Sequence, residues 1–292
     1  MSIQITVETI TPQIAEAYLS TNENPRKVTW GWVYKYAEDM KNGRWKLSSA
    51  TIAFDKHGNL KDGQHRLHAC IKSGCSFQTL VVRGMEDGAD AVVDIGKTRS
   101  ASDQLKGYEY SDKIAALAKM ARATKSGSMG LGISSFLEGR SCNEEKAQRQ
   151  VTIPEQVEDA KENIEEYTKC AQMGNKLRGL FNKHGITIYA YFIWLVRWLG
   201  EGEQVEEYID DICASKQKST TTSAVRTYIF KQQKGKENRT LALAALLYGY
   251  KAFCDGKEIE VIRQPLKVFA VWEEKIRAKK KELYGPVEEE KV

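Results

Sequence analysis

The chain has 292 residues, of which 41% are hydrophobic and 28% charged, with a formal net charge of +5. This fits an ordinary soluble protein with a core of its own, and the length favours two domains over one. No apolar run approaches the roughly 20 residues that span a bilayer. The opening MSIQITVETITPQ lacks a basic segment followed by an apolar one, so no signal peptide is expected and the cytoplasm is the expected location.

Residues 3 to 10, IQITVETI, alternate and are β-branched, which predicts a strand. Thr11-Pro12 then opens a helix with proline at its first position. Asn24-Pro25-Arg26 is a break, because the residue before proline avoids helix. Thr29 is placed to cap a helix carrying Trp32, Val33, Tyr36, Ala37 and Met40 at helical spacing, and Asn42-Gly43 ends it. Thr51 to Asp55 reads as a strand, His57-Gly58-Asn59 as a turn, and Leu60-Lys61 as a short return strand.

Next comes KDGQHRLHACIKSG, residues 61 to 74, read as a helix start and a helix stopped by Gly74. Phe77 to Val82 reads as a strand, Asp87 to Val93 as a short helix, and 94 to 99 as an irregular loop. Ser100 to Asp103 has the form of a capping box. From about residue 108 the pattern is helix after helix. Gly127 to Gly139 interrupts it, 155 to 173 reads as one acidic amphipathic helix, and 239–254 and 264–281 read as further helices. ITIYAYFIWLVRWL, residues 186 to 199, is too short to span a membrane and reads as a buried core helix. The expected fold class is α+β: a mixed domain over 1–107, then an all-α domain over 108–292.

At the helix start, Asp62 is suited to cap the first turn. At about 100° per residue, Leu67, Cys70 and Ile71 share the core face, while Asp62, His65, Arg66 and Ala69 share the opposite one. His65 and Arg66 are then displayed beside the amides of a helix N-terminus, where anions bind. Gly63 allows close backbone approach, Arg66 is a forked cation suited to phosphate, and His65 is a donor or proton carrier near neutral pH. Asp62 would repel a phosphate unless it held a divalent metal such as Mg²⁺. Polar residues on a well-capped helix give the same pattern with no ligand.

Asp94, Lys97 and Arg99 form a second polar loop, in which Lys97 and Arg99 are candidate anion ligands and Asp94 could share a metal with Asp62. Gly96-Lys97-Thr98 is not a P-loop, because Ala91 stands where that motif needs glycine. His65/His68 is the one closely spaced ligand pair, and the six cysteines form no C-x-x-C, so a structural zinc and disulfides are not expected. Residues 215 to 239 carry seven Lys and Arg (Lys216, Lys218, Arg226, Lys231, Lys234, Lys236, Arg239) against one Glu. Such a stretch is what a phosphate backbone would meet, or a solvated surface.

Asp62-Gly63-Gln64-His65-Arg66 resembles the DGQHR signature of phage and bacterial proteins in the ParB/sulfiredoxin-like superfamily, and Asn24-Pro25-Arg26 looks like the N-P-R that opens ParB-type domains. The similarity covers residues 3 to 107. It implies nucleotide phosphates held at the helix start by Gly63, Gln64, His65 and Arg66, with Arg26 near the nucleotide. Sulfiredoxin carries its catalytic cysteine where this chain has Gln64, and ParB carries an arginine where it has His65. Neither sulfinic acid reduction nor chromosome partitioning is therefore expected.

The leading expectation is a phage or bacterial DNA-associated protein that binds, and in one version hydrolyses, ATP or CTP with Mg²⁺. Asp62, His65 and Arg66 would act on the phosphates, and the 215–239 region would meet DNA. Three alternatives stay open: a metal-dependent DNA nuclease using Asp62 and Asp94, a non-catalytic regulator of a DNA modification or defence system, and a kinase. A homodimer is one open assembly state.

Overall fold

The computed structural model describes residues 3–23, 28–86, 100–126, 151–182, 184–231 and 236–285, without the side chains of 126 and 236–238. The chain divides into two compact units, residues 1–99 with 142–154, and residues 100–141 with 155–292. The division falls at 99/100 where the sequence reading places it at 107/108, and residues 142–154 group with the first unit.

The first unit holds a four-stranded mixed sheet of order β1-β4-β2-β3: β1 (Gln4–Ile10), β2 (Thr51–Asp55), β3 (Leu60–Asp62) and β4 (Phe77–Met85). Strand β4 is antiparallel to β1 and parallel to β2, and β3 returns antiparallel along β2. Three helices accompany it, α1 (Pro12–Leu19), α2 (Trp30–Lys41) and α3 (Gln64–Ser73). Thr11 caps α1 by accepting from the Ile14 amide, with Pro12 in the first turn, as its sequence predicts. Asn42 ends α2 and Gly43 follows at φ +66°. Ile10, Ile52, Phe54, Phe77 and Val81 from the sheet close on Ala15, Val33, Ala37, Leu67 and Cys70 from the helices to form the core.

One strand expectation needs correction. β4 runs on to Met85, because Arg83 pairs with Gln4 and Met85 with Asp55. β1 alternates as expected, with Ile5 and Val7 outward, 63% and 56% exposed, and Ile10 buried in the core. Thr6 and Glu8 occupy the alternate positions because they pair with Arg83. The short segment that returns to this unit is anchored by the Thr152 hydroxyl, which donates to the buried Asp39 carboxylate on α2 at 2.8 Å.

The second unit is helical among the described residues: α4 (Ala101–Gln104), α5 (Ser111–Ser126), α6 (Ile153–Glu162, whose first two residues belong to the first unit), α7 (Ile164–Phe181), α8 (Ile186–Trp198), α9 (Val205–Cys213), α10 (Thr220–Lys231), α11 (Lys236–Cys254) and α12 (Val268–Tyr284). Ser100 and Asp103 form the expected capping box. Every side chain from Ile188 to Val196 on α8 is buried, so its apolar sequence does mark a core helix. Trp194 stacks on Trp198 with ring centroids 5.5 Å apart, a packing contact. Gly174 on α7 lets α8 approach, since a Cβ there would lie 2.9 Å from the Ala190 amide.

The single helix expected over 155–173 is two. Asn163 separates them as the non-helical N-cap of α7, at φ −115° and ψ 24°, and its amide and side chain both donate to the Asp159 carbonyl, at 3.2 and 2.8 Å. The expected 264–281 helix starts as a 3₁₀ turn at Pro265–Lys267, after Gln264 in a left-handed conformation, and continues to Tyr284. The helix expected at 87–93, the loop at 94–99 and the glycine-rich 127–139 lie outside the described residues. No helix among the described residues is long and apolar enough to cross a membrane.

Candidate functional site

Strand β3 delivers the chain to the DGQHR stretch, and a glycine turns it into α3. Asp62 is the last residue of the strand, and Gly63, at φ +107° and ψ 0°, is the helix N-cap. The expectation that Asp62 caps the first turn is therefore corrected. Its Oδ1 accepts the Gly63 N–H at 2.7 Å, and its Oδ2 accepts from Arg66 Nη2 at 2.7 Å. The same Nη2 donates to the Thr51 carbonyl at 2.6 Å, tying α3 back to β2. Arg66 and Asp62 are only 16% and 25% exposed at their side chains, so this is a shielded pair.

Gly63 has two reasons to be glycine, and neither involves a ligand. Its backbone lies in a region that L side chains rarely adopt. A Cβ there would also stand 2.9 Å from Ile52 Cγ1 and 3.3 Å from Ile52 Cα. The close approach read from the sequence is to the core of the sheet.

The neighbouring side chains reach the segment between α1 and α2. Asn22 Nδ2 donates to Gln64 Oε1 at 3.0 Å. The Thr29 amide donates to His65 Nε2 at 3.0 Å, which requires an unprotonated Nε2 and leaves the ring proton on Nδ1. Thr29 begins α2 without a side-chain cap; its contribution is this backbone bond. Burial first, and the nearby His65 second, hold His68 below the ordinary imidazole value. His68 lies against Trp30 with ring centroids 5.9 Å apart.

The face assignment within α3 is corrected at Ala69, which is fully buried beside Leu67 and Cys70. The helix packs against both α1 and α2, so it has more than one inward face. Ile71 is only partly buried. Gly74, in a left-handed conformation, stops the helix as expected.

Residues 62 to 66 are thus brought together in one cluster. Arg26, Asp94, Lys97 and Arg99 lie outside the described residues. Among the described residues no group of three or more His, Cys, Asp or Glu is placed to hold a metal ion.

In the basic stretch, Lys216, Lys218 and Lys231 are exposed, with Lys216 and Lys218 before α10 and Lys231 at its end. Arg226 is committed elsewhere: its Nη1 donates to the Ile212 carbonyl at 3.1 Å and to the Ala214 carbonyl, closing the end of α9. Arg239 is partly buried, Lys234 lies outside the described residues, and so does the Lys236 side chain. Asp211 fixes the lysine-bearing turn by accepting from the Lys218 and Ser219 amides and the Thr222 hydroxyl. Burial acts to raise its pKa, but these bonds outweigh it and hold the carboxyl below its usual value.

No protein-family model, curated protein or solved structure matches this chain.

A second polar cluster went unanticipated. Arg83 on β4 donates to both Glu8 carboxylate oxygens, at 2.5 and 3.2 Å, and to the Tyr18 hydroxyl at 2.7 Å; Tyr18 in turn donates to Glu8 at 2.7 Å. Donation from Arg83, against a partly opposing desolvation, lowers Glu8 to about 2. The signal was available in the sequence: Phe77, Thr79 and Val81 alternate inward on β4, and Arg83 is the next residue in that period.

Proposed function

We propose that the first unit is a ParB/sulfiredoxin-like nucleotide-binding domain that holds the phosphates of ATP or CTP at the start of α3, in a protein that works on or beside DNA. One observation carries this reading. The acid next to the helix start, Asp62, is drawn onto Arg66, and the N-cap is a glycine with no side chain to cover the first turn. A helix start carries about half a positive charge and backbone amides that point out of its end, which suit phosphate. Pairing with Arg66 also removes the repulsion an isolated Asp62 would exert. Arg66 then supports the site by neutralising Asp62, and the polypeptide backbone is the anion ligand.

Mg²⁺ commonly retains waters and is held by one or two carboxylates together with nucleotide phosphates. Asp62 is the one carboxylate of the motif that could contribute, so the metal would travel with the nucleotide. The exposed Lys216, Lys218 and Lys231 would meet a DNA backbone.

The test is calorimetric titration of ATP and CTP with and without Mg²⁺, backed by thermal unfolding. A ligand at 100 times its dissociation constant stabilises by about 2.7 kcal/mol. Failure of every nucleotide to bind at millimolar concentration overturns the reading; phosphate release measured on the same samples separates hydrolysis from binding.

A second reading is favoured by a specific observation: Gln64, His65 and Arg66 each bond to another part of the unit, and Asp62 is held by Arg66 and the Gly63 amide. On this reading the motif is a clasp in a non-catalytic regulator. His65→Ala would then change stability without changing any binding activity.

A further inference from the structure

On the helix-covered side of the sheet, the first unit has an open cleft of about 640 Å³, lined among others by Gln4, Tyr18, Thr21, Phe54, Lys56 and Arg83. That volume lies in the range of sites that take small organic ligands. We propose that this cleft receives a flat, uncharged heteroaromatic ring, the base of a nucleoside, stacked on the guanidinium of Arg83.

Arg83 is built as a platform. Its guanidinium carbon lies 5.5 Å from the Phe54 ring centroid and 5.9 Å from that of Tyr18, so aromatic rings support it. Tyr18 and Phe54 are themselves packed edge to face, 4.8 Å apart. Both Nη atoms are held by Glu8 and Tyr18, which fixes the orientation of the plane. The side chain nevertheless stays 39% exposed and lines the cleft. A guanidinium stacks on planar rings, and bases use arginine planes in this way.

Charge selects the class of ligand. Glu8 neutralises Arg83, and Lys61 neutralises the buried Asp55 at 3.2 Å. The charge of the Arg83 plane is thus met within its own plane, and its face suits a neutral ring with a polar edge, with Lys56 as a further cation on the lining. The Gln4 amide and the Thr21 hydroxyl supply hydrogen-bonding groups along the lining.

The cleft is connected to the start of α3. Thr21 lines it and accepts the Leu60 amide at 3.2 Å, and the next residue, Asn22, bonds Gln64 at 3.0 Å. A base in the cleft with phosphates at the helix start would therefore bridge two sites joined by residues 21 and 22. This assignment rests on the nucleotide reading above for its phosphate half.

The experiment titrates the full chain with adenosine, cytidine, ATP, CTP and inorganic tripolyphosphate. It compares the natural protein with Arg83→Gln and with Tyr18→Phe, which keeps the ring and loosens the guanidinium, each checked for native folding by circular dichroism. The expected result is tripolyphosphate binding unchanged in both variants, with triphosphate affinity reduced at least tenfold in Arg83→Gln and less in Tyr18→Phe. Equal affinity of the folded variants and the natural protein for both nucleotides overturns the cleft assignment while leaving phosphate binding standing. Nucleoside binding that depends on Arg83, without any tripolyphosphate binding, supports the cleft and overturns the phosphate site. If Arg83→Gln fails to fold, Tyr18→Phe decides, and unchanged nucleotide affinity in it overturns the platform.

Discussion

Replacing Gly63 by alanine separates the two demands the fold makes at that residue. The first is conformational: φ +107° costs an L residue about 1–2 kcal/mol. The second is steric: the new Cβ would lie 2.9 Å from Ile52 Cγ1 and 3.3 Å from Ile52 Cα, and overpacking of this kind costs about 1–3 kcal/mol. Together they predict a loss of about 2–5 kcal/mol from the first unit. Ile52→Ala removes the Cγ1 contact and itself costs about 2–5 kcal/mol through the cavity it leaves. The double variant should lose less than the sum of the two, by about 1–2 kcal/mol, because contacting sites are not additive. Hydrogen exchange of the α3 amides, read beside urea unfolding, locates the loss in the first unit. A Gly63→Ala protein within about 0.5 kcal/mol of the natural one would refute this geometry. Strict additivity would leave the backbone term and remove the Ile52 contact as a cause.

Arg66→Ala leaves the Asp62 carboxylate and the Thr51 carbonyl without their donor, and because the pair is not fully buried the expected cost is about 2–4 kcal/mol. Arg66→Lys should recover only part of it, since a lysine ammonium ends one bond short of the place where the single Nη2 makes both bonds; a melting temperature equal to that of the natural protein would contradict this. Glu8, lowered to about 2 from 4.5, contributes stability that is fully present above pH 4.5 and lost as pH falls towards 2. Discounted for its partial exposure, that contribution is about 1–2 kcal/mol, so the gap between the natural protein and Glu8→Gln should narrow from pH 7 to pH 3, and a constant gap would refute it. If Lys216, Lys218 and Lys231 all meet DNA phosphates, replacing the three by glutamine should flatten the slope of log affinity against log salt by about 2.7; an unchanged slope rules out that surface.

Much of this architecture was legible because single residues carried strong local signals. The Ile186–Trp198 helix announced its burial through an unbroken apolar composition, and Gly74 announced the end of α3 by needing a left-handed conformation. Other features were hidden by partners distant in sequence. Nothing near Ala69 shows that α3 is flanked by two helices. Asn163 separates two helices where its neighbours read as one, through a backbone conformation that no nearby pattern marks. Within the DGQHR stretch the contacts differ from those its spacing suggests. Asp62 looked like a cap because capping is a local property, whereas its bond to Arg66 depends on β2 lying alongside to orient the guanidinium.

That shift changes what the cluster can do. As isolated letters, an arginine and a histidine at a helix start suggest a cationic pocket whose affinity lies in side chains. In the fold, Arg66 is neutralised by Asp62, and His65 accepts a backbone proton from Thr29. The positive potential that remains belongs to the first turn of α3, and Gly63 positions that turn against Ile52. Phosphate affinity at such a place should follow the geometry of the turn more than the identity of any one side chain. If tripolyphosphate binds at this turn, as proposed, Gln64→Ala and His65→Ala should each weaken it only a few-fold, through loosening of the segment that Asn22 and Thr29 hold. A large loss from either, in a protein whose stability is unchanged, would mean that the side chain itself touches the anion and that the backbone account is wrong.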